Sequence, residues 1–194
     1  MKILVLGAKP SPLTPIIEKH GFSVIECDDP VNIKYLKTHF VKFAISYRYR
    51  YIIHKPLIEY LNGHIINLHI SYLPWNRGAD PNLWSFLEDT PKGVSIHYID
   101  EGIDTGDIIV QKELFFNIKA ETLASTYKKL NTEIIGLFKM HLELIIKGNI
   151  VRKKQLLPGS FHKITDKEPF QHLISDKGWG TLVESLIGKA LIKS

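Results

Sequence analysis

The chain has 194 residues, 44% hydrophobic and 23% charged, a globular balance that excludes a disordered or fibrous protein and suits one domain with a small appendage. Its formal net charge of +5 is spread along the sequence and is densest at Arg152-Lys153-Lys154, which reads as a solvated edge after a helix rather than a nucleic-acid patch, while an anionic small substrate would suit the excess. The single cysteine, Cys27, excludes an intrachain disulfide framework and a cysteine-rich zinc site, and with no membrane-length apolar run and no signal-peptide pattern a cytoplasmic protein is expected.

Residues 2–6 form a short apolar strand that ends at Gly7, and Pro10, Pro12 and Pro15 stiffen the connection after it. A short helix is predicted over 16–20, closed by Gly21, then a strand over 22–27. Asp28-Asp29-Pro30 reads as a helix start with an aspartate as cap, and the helix runs over 31–39. A third strand over 41–46, a helix over 56–61 stopped at Asn62-Gly63, and a fourth strand over 64–68 complete the first half. Strands separated by helices imply βαβ units and a parallel sheet. Residues 69–82 carry Pro74, Gly78 and Pro81 and read as a long loop, followed by a helix over 83–88. Residues 93–99 alternate like a half-buried strand, 107–111 read as the next strand, and 100–106 form the turn between them. Over 121–147, Leu123, Tyr127, Leu130, Ile134, Phe138, Leu142 and Ile145 recur at helical spacing, and Gly148 closes this long amphipathic helix. The tail, 158–194, holds a loop and two short helical patterns split by Gly178-Trp179-Gly180 and is expected to fold back on the core.

Two segments carry candidate chemistry. Asn67 and His69 sit where a buried strand ends, two residues apart and so on one side of it. A carboxamide beside an imidazole can stabilise an oxyanion and move a proton. Asp104, in the glycine-flanked turn 102–106, is a carboxylate that can fix the tautomer of such a histidine. Read alone, each segment is equally well an incidental pair or an ordinary turn. Arg77, beside Gly78, offers a guanidinium that can pair with a phosphate or orient the neighbouring segment.

Read together, the segments resemble the N10-formyltetrahydrofolate-dependent formyltransferases. The likeness runs from about Tyr47 to Gln111 and rests on Ile66-Asn67-Leu68-His69-Ile70-Ser71-Tyr72-Leu73-Pro74, Arg77-Gly78-Ala79-Asp80-Pro81, Gly93-Val94-Ser95-Ile96-His97-Tyr98-Ile99 and Ile103-Asp104-Thr105-Gly106-Asp107-Ile108-Ile109. It implies an α/β fold, a Rossmann-like, mostly parallel sheet with flanking helices, with a compact N-terminal half and a short C-terminal extension. The catalytic domain is then 1–157 and the extension 158–194. It implies a catalytic trio of Asn67, His69 and Asp104. Asn67 and His69 would stabilise the oxyanion; Asp104 would orient His69 and help take the amine proton through a water. Substrate and donor contacts fall to Tyr47, Arg48, Ser71, Leu73, Pro74, Arg77, Gly78, His97, Ile103, Thr105 and Gly106, with the pteridine against the turn that carries Asp104.

The implied donor co-substrate is N10-formyltetrahydrofolate. The segment from Tyr72 to Trp84 looks most like enzymes that formylate amino sugars carried on nucleotides, as in lipopolysaccharide O-antigen biosynthesis. The chain is expected to lack the added C-terminal domain of methionyl-tRNA formyltransferases and the regulatory domain of formyltetrahydrofolate hydrolases. Gly7-Ala8-Lys9-Pro10-Ser11-Pro12 lacks the phosphate-loop pattern of glycinamide ribonucleotide formyltransferases. The partner is then a small-molecule amine, a nucleotide-sugar, with no nucleic acid and no membrane, and with room for a homodimer. No metal is called for: His20, His39, His54, His64, His141, His162 and His172 show no ligand spacing. Two departures stand out. Asn67 comes earlier than is usual in the family, which implies that a βα unit before it is missing or compressed. Tyr47-Arg48-Tyr49-Arg50-Tyr51 replaces a more apolar, glycine-containing loop, and is open to lining the folate pocket, binding an anion or being plain surface. Other readings stay open: a glycinamide ribonucleotide or other small-amine formyltransferase, a non-catalytic folate-binding homologue, and, from Asp104-Thr105-Gly106, a dimeric aspartic protease.

Overall fold

The computed structural model describes residues 1–156, 158–174 and 176–191. Strand β1 (Lys2–Leu6) is buried along most of its length. It ends at Gly7, whose φ of 134° and close approach to the Tyr47 carbonyl leave no room for a Cβ. Helix α1 (Thr14–Lys19) starts on a proline in its first turn. The Glu26 carboxylate of β2 (Ser23–Cys27) fixes that start by accepting from Ser11 N at 3.0 Å and from the Thr14 hydroxyl. Helix α2 (Ile33–Thr38) begins later than expected. Asn32, and neither Asp28 nor Asp29, is its cap, accepting from Tyr35 N at 2.9 Å. Asn32 is extended, with φ −133° and ψ 173°, the backbone a cap needs while its side chain accepts from the first turn. Strand β3 (Phe43–Tyr47), helix α3 (Lys55–Tyr60) and strand β4 (Ile65–His69) follow.

Strands β1 to β4 pair in parallel, with Leu4 opposite both Ile25 and Ala44, and Ile45 opposite Ile66. With β6 (Gly93–Tyr98) and β7 (Ile108–Glu113) they form one six-stranded sheet in the order β2-β1-β3-β4-β6-β7. Beyond β1 on one side lies β2 alone, where the usual dinucleotide-binding order places two strands. The three helices between β1 and β4 have six residues each. These two facts account for the early position of Asn67. Strands β6 and β7 run antiparallel, joined at one end by Tyr98 N to Asp107 O and at the other by Leu114 N to Lys92 O. Strand β6 is buried at all six positions. The expected half-buried alternation fails because β6 is an interior strand, flanked by β4 and β7. Its Ser95 and His97 are therefore polar residues inside the protein.

Helix α5 (Leu123–Lys147) buries Leu123, Leu130, Ile134, Phe138, Leu142 and Ile145, the stripe legible in the sequence. Its start is a reciprocal cap: Ser125 N donates to the Thr122 hydroxyl and Thr122 N to the Ser125 hydroxyl, which satisfies donors the first turn leaves open.

The described chain divides into two compact units. The first comprises 1–69, 96–110 and 135–155. Leu4, Leu6, Leu36, Val41, Ala44, Leu57, Leu61 and Ile65 form a core cluster in it, with Cys27 among them. Burial and the neighbouring Cys27 thiol push the Tyr35 hydroxyl up to about 12. The second comprises 70–95, 111–134 and the tail. There α4 (Pro81–Leu87) contributes Leu83, Trp84, Phe86 and Leu87 to a cluster with Leu123, Val183 and Leu186. The stretch expected to be loop throughout, 69–82, contains the two-residue strand β5 (Arg77–Gly78), because the tail supplies its partner, β8 (Phe161–His162). Gly78 has φ 87°, and a Cβ there would strike the His162 carbonyl. In the tail, Glu168–Leu173, Gly178–Gly180 and Val183–Ser185 are 3-10 turns. Gly178-Trp179-Gly180 thus forms a turn of its own instead of splitting two helices. The last residues of the tail reading, 192–194, lie outside the described residues. No helix among the described residues is long and apolar enough to cross a membrane.

Candidate active site

Strand β4 alternates, so Asn67 and His69 leave it on one side, and β6 is its neighbour in the sheet. His97 of β6 reaches the same place: its Nε2 is 3.3 Å from Asn67 Nδ2. The turn between β6 and β7 brings in Asp104. Asn67 Nδ2 donates to Asp104 Oδ1 at 3.0 Å. His97 Nε2 lies 3.3 Å from the same oxygen, and His69 Nδ1 lies 3.7 Å from Oδ2. The two imidazoles stand edge to face with centroids 6.2 Å apart. One carboxylate therefore faces an amide and two histidines.

The hydrogen-bond network assigns the His97 tautomer. Its Nδ1 is 2.7 Å from the Tyr98 carbonyl, which only accepts. Nδ1 therefore carries a proton. The hydrogen that Asn67 gives to Asp104 fixes its amide plane. The side chains of His69, His97 and Asp104 are 9%, 2% and 12% exposed. In so dry a site a fixed charge or donor acts more strongly on a reacting group than it would in water.

The turn that carries Asp104 is braced within itself. Asp100 Oδ1 accepts from Gly102 N at 3.0 Å and from the Thr105 hydroxyl at 2.6 Å. Asp104 has φ 53°, and Gly106 packs so tightly on the Tyr98 carbonyl that no side chain fits. Ile103 at the tip is 47% exposed.

Of the sequence candidates, Asn67, His69, His97 and Asp104 come together, with Thr105 and Gly106 shaping the turn. Tyr47 ends β3 and is buried; Arg48, next along, is exposed with φ 59°. The loop beyond them is organised: Tyr49 donates to the Asp29 carbonyl at 2.9 Å and Arg50 pairs with Asp28 at 3.3 Å. With Pro30, Val31, Tyr51, Ile52, Ile53, His54 and Leu57, Tyr49 and Arg50 line a cavity of about 330 Å³. The remaining candidates belong to the second unit. Ser71 is buried, with its carbonyl accepting from Ser95 Oγ and its own hydroxyl without a hydrogen-bond partner among the described residues. Leu73 N donates to Ser95 Oγ at 3.1 Å, and the Leu73 and Pro74 carbonyls accept from Gln111 Nε2 and Ser160 N. The Arg77 guanidinium donates to the Pro158 carbonyl, and its Nε is buried without a hydrogen-bond partner among the described residues. Gly78 serves the β5–β8 pair.

Two groups escaped the sequence reading. Buried Asn76 donates to Glu88 and Ser160 and accepts from Thr90, and Glu88 faces His162, whose ring stacks on Trp84 at 3.7 Å. Gln155 donates to the carbonyls of Asp104 and Gly106, both at 2.9 Å. Neither carries a spacing signal, because each depends on the tail or on the segment after α5 returning to an earlier loop.

The formyl transferase family matches residues 4–137 of the chain. The chain belongs to that family. Its structural relatives include the formyltransferase PseJ from Anoxybacillus kamchatkensis, solved in complex with UDP-4,6-dideoxy-4-formamido-L-AltNAc and tetrahydrofolate. The two are 49% identical, with a TM-score of 0.93, over 98% of this chain and 100% of that one. A 4-N formyltransferase from Francisella tularensis, 22% identical over 95% of this chain and 85% of its own, shares the fold with a TM-score of 0.75. Methionyl-tRNA formyltransferase of Thermodesulfovibrio yellowstonii is 41% identical over 106 residues, covering 53% of this chain and 34% of that enzyme. For that of Halothermothrix orenii the identity is 32% over 152 residues, covering 76% and 48%. The chain thus spans about a third to a half of the length of these curated relatives.

Proposed function

We propose that the protein transfers a formyl group from N10-formyltetrahydrofolate to the primary amine of a nucleotide-linked sugar, with Asn67, His69 and Asp104 as its catalytic residues. The observation that carries this reading is the convergence of these three side chains and His97 within a chain alike over its whole length to PseJ, whose crystal holds a UDP-linked formamido sugar and tetrahydrofolate.

The neutral amine attacks the formyl carbon, and the carbonyl oxygen gains negative charge. Asn67 and His69 are placed to donate to that oxygen, and losing one such donor typically lowers turnover about 10²–10³-fold. Asp104 faces His69 Nδ1 with its second oxygen, 3.7 Å away, which orients the ring by charge, and it accepts the amine proton through a water. The bond from carbon to N10 then breaks, the formyl group stays on the sugar nitrogen, and a proton ends on N10.

The folate reading has support in the first unit. The cavity of about 330 Å³ has aromatic and apolar walls, Tyr49, Tyr51, Val31 and Ile53, beside the Arg50–Asp28 ion pair, a lining suited to a flat heteroaromatic ring. Residues 1–157 are the catalytic domain in this reading and 158–194 an extension folded against β5 and α4. Its setting is the cytoplasm, where nucleotide-sugars and reduced folates are made, at a step of surface-polysaccharide synthesis such as that of O-antigen.

The test is mass spectrometry of UDP-4-amino-4,6-dideoxy-L-AltNAc incubated with the protein and N10-formyltetrahydrofolate. Gain of one formyl group is expected. No gain on this or any other nucleotide-linked amino sugar, with gain on glycinamide ribonucleotide, would transfer the activity to another acceptor class.

A further inference from the structure

Asp104 is held in a backbone conformation that only glycine, asparagine and aspartate visit with any ease. Its φ is 53°, so the turn needs bracing if the carboxylate is to stay within reach of Asn67 and His69. The Asp100 carboxylate braces the outer side through Gly102 N and the Thr105 hydroxyl. The backbone carbonyls of Asp104 and Gly106 need donors, and both find the same one. Gln155 Nε2 lies 2.9 Å from each. An amide nitrogen has two hydrogens, and here each has its own carbonyl. The opposite orientation would set Gln155 Oε1 against two carbonyl oxygens, so the assignment is forced. Oε1 is buried and has no hydrogen-bond partner among the described residues, a cost of about 1–3 kcal/mol that the two donated bonds offset.

Gln155 is itself firmly presented. Two residues before it, Lys153 forms an antiparallel bridge with Ile108, with hydrogen bonds of 2.8 and 2.9 Å between their backbones. The Arg152 guanidinium lies 3.8 Å over the Tyr98 ring, a cation–π contact. Segment 152–155 is therefore a splint alongside β7, held by the Lys153 backbone and the Arg152 side chain.

We infer that Gln155 is a positioning residue for formyl transfer: by clamping the carbonyls of Asp104 and Gly106 it holds the Asp104 carboxylate at its working distance from Asn67 and His69. This rests on the catalytic reading of Asp104 given above. Gln155 touches no reacting atom. Its loss lets the turn relax, and a displacement of about 1 Å is enough to cost up to about 10²-fold in turnover.

The test compares Gln155→Met, which keeps the length without donors, Gln155→Asn, which withdraws the amide by one methylene but stays polar, and Gln155→Glu. Asp104→Asn is assayed beside them, with N10-formyltetrahydrofolate and UDP-4-amino-4,6-dideoxy-L-AltNAc as substrates. In Gln155→Met and Gln155→Asn we expect kcat to fall about tenfold or more, the folate KM to rise, since the family resemblance sets the pteridine against this turn, and the acceptor KM to stay within about twofold. Gln155→Glu adds a signature in pH. Its ionised carboxylate repels both carbonyls, whereas the protonated acid donates to one. Its activity relative to the native protein should therefore recover as pH falls from about 8 to about 6, burial having pushed that carboxyl upward. A merely structural role moves neither this ratio nor kcat alone. If Asp104→Asn loses turnover while folded Gln155→Met and Gln155→Asn keep kcat within about twofold, the positioning role is wrong. If Asp104→Asn keeps its turnover, it is the catalytic reading of Asp104 that fails. An unchanged folate KM in Gln155→Met would then overturn the clamp too.

Discussion

Asp104 stands 3.0 Å from an amide donor and within 3.7 Å of two imidazoles, so its charge and its shape can be separated by one substitution. Asp104→Asn keeps the volume and the αL preference and removes the charge. Turnover should fall about 10²–10⁴-fold, as for a group in acid–base catalysis, with the unfolding midpoint little changed. Steady-state rates with a melting curve on the same sample decide it, and near-native turnover would remove Asp104 from the chemistry. At this scale the proposed catalytic residues were legible as candidates and their supports were not. Asn67, His69 and Asp104 stand out by chemical type between strand and glycine signals, and His97 entered only through the family resemblance. Gln155 lies in irregular chain after a basic run, where a glutamine carries no period and no turn preference. Only the return of 152–155 to β7 gives it a partner.

Among the elements, boundaries were displaced wherever a local rule competed with the pattern. The Asn32 cap set the start of α2 past both aspartates, and the tail created β5 out of a stretch that looks like loop. Strand β6 shows the opposite limit: its alternation was real in sequence, but an interior strand buries both faces, and Ser95 and His97 are satisfied by other protein groups. The β5–β8 pair rests on Gly78. A Cβ there meets both positive φ and the His162 carbonyl. Gly78→Ala should cost about 1–3 kcal/mol, which for a chain of this size lowers the midpoint by about 2–10 °C. Calorimetry checks this, and an unchanged midpoint would show that the tail is held by α4 alone. Helix α5 gives an acid-side prediction. Lys129, then the Ser125 hydroxyl, holds the Glu121 carboxyl below the usual carboxylate range. A lowered pKa stabilises the folded form above the unfolded pKa of about 4.3, and this is lost as pH falls through the folded value. Glu121→Gln should therefore destabilise at neutral pH, by about 0.5–1 kcal/mol for so exposed a lysine partner. The difference from the native protein should vanish on acidification below about pH 4. Urea titrations at pH 7 and pH 3.5 measure it, and a gap that persists in acid would assign the effect to packing.

For the molecule as a whole, the class of fold followed from the alternation of apolar strands with short helices, and the family from one stretch of 65 or so residues around β4, β6 and β7. The economy of the N-terminal half was legible only as a number, the early position of Asn67. What it means in space is a single strand outside β1 and helices of under two turns. A sheet edge one strand nearer to the centre brings an edge residue close to the core, and Cys27 is that residue. It closes the outermost strand, is 5% exposed, and is the chain's one thiol. Nature has thereby left a built-in clock. A thiol reagent reaches Cys27 only when β2 lifts away, so its second-order rate divided by that of a free thiol gives the equilibrium constant for this opening. Tyr35, with its hydroxyl pushed up to about 12, stays neutral through the mildly alkaline range in which such reagents work. We expect labelling orders of magnitude slower than for an exposed thiol, insensitive at first to dilute urea if the strand frays locally and tracking global unfolding if the edge opens only with the whole. Labelling as fast as in unfolded protein would mean that this short edge is not closed in solution at all.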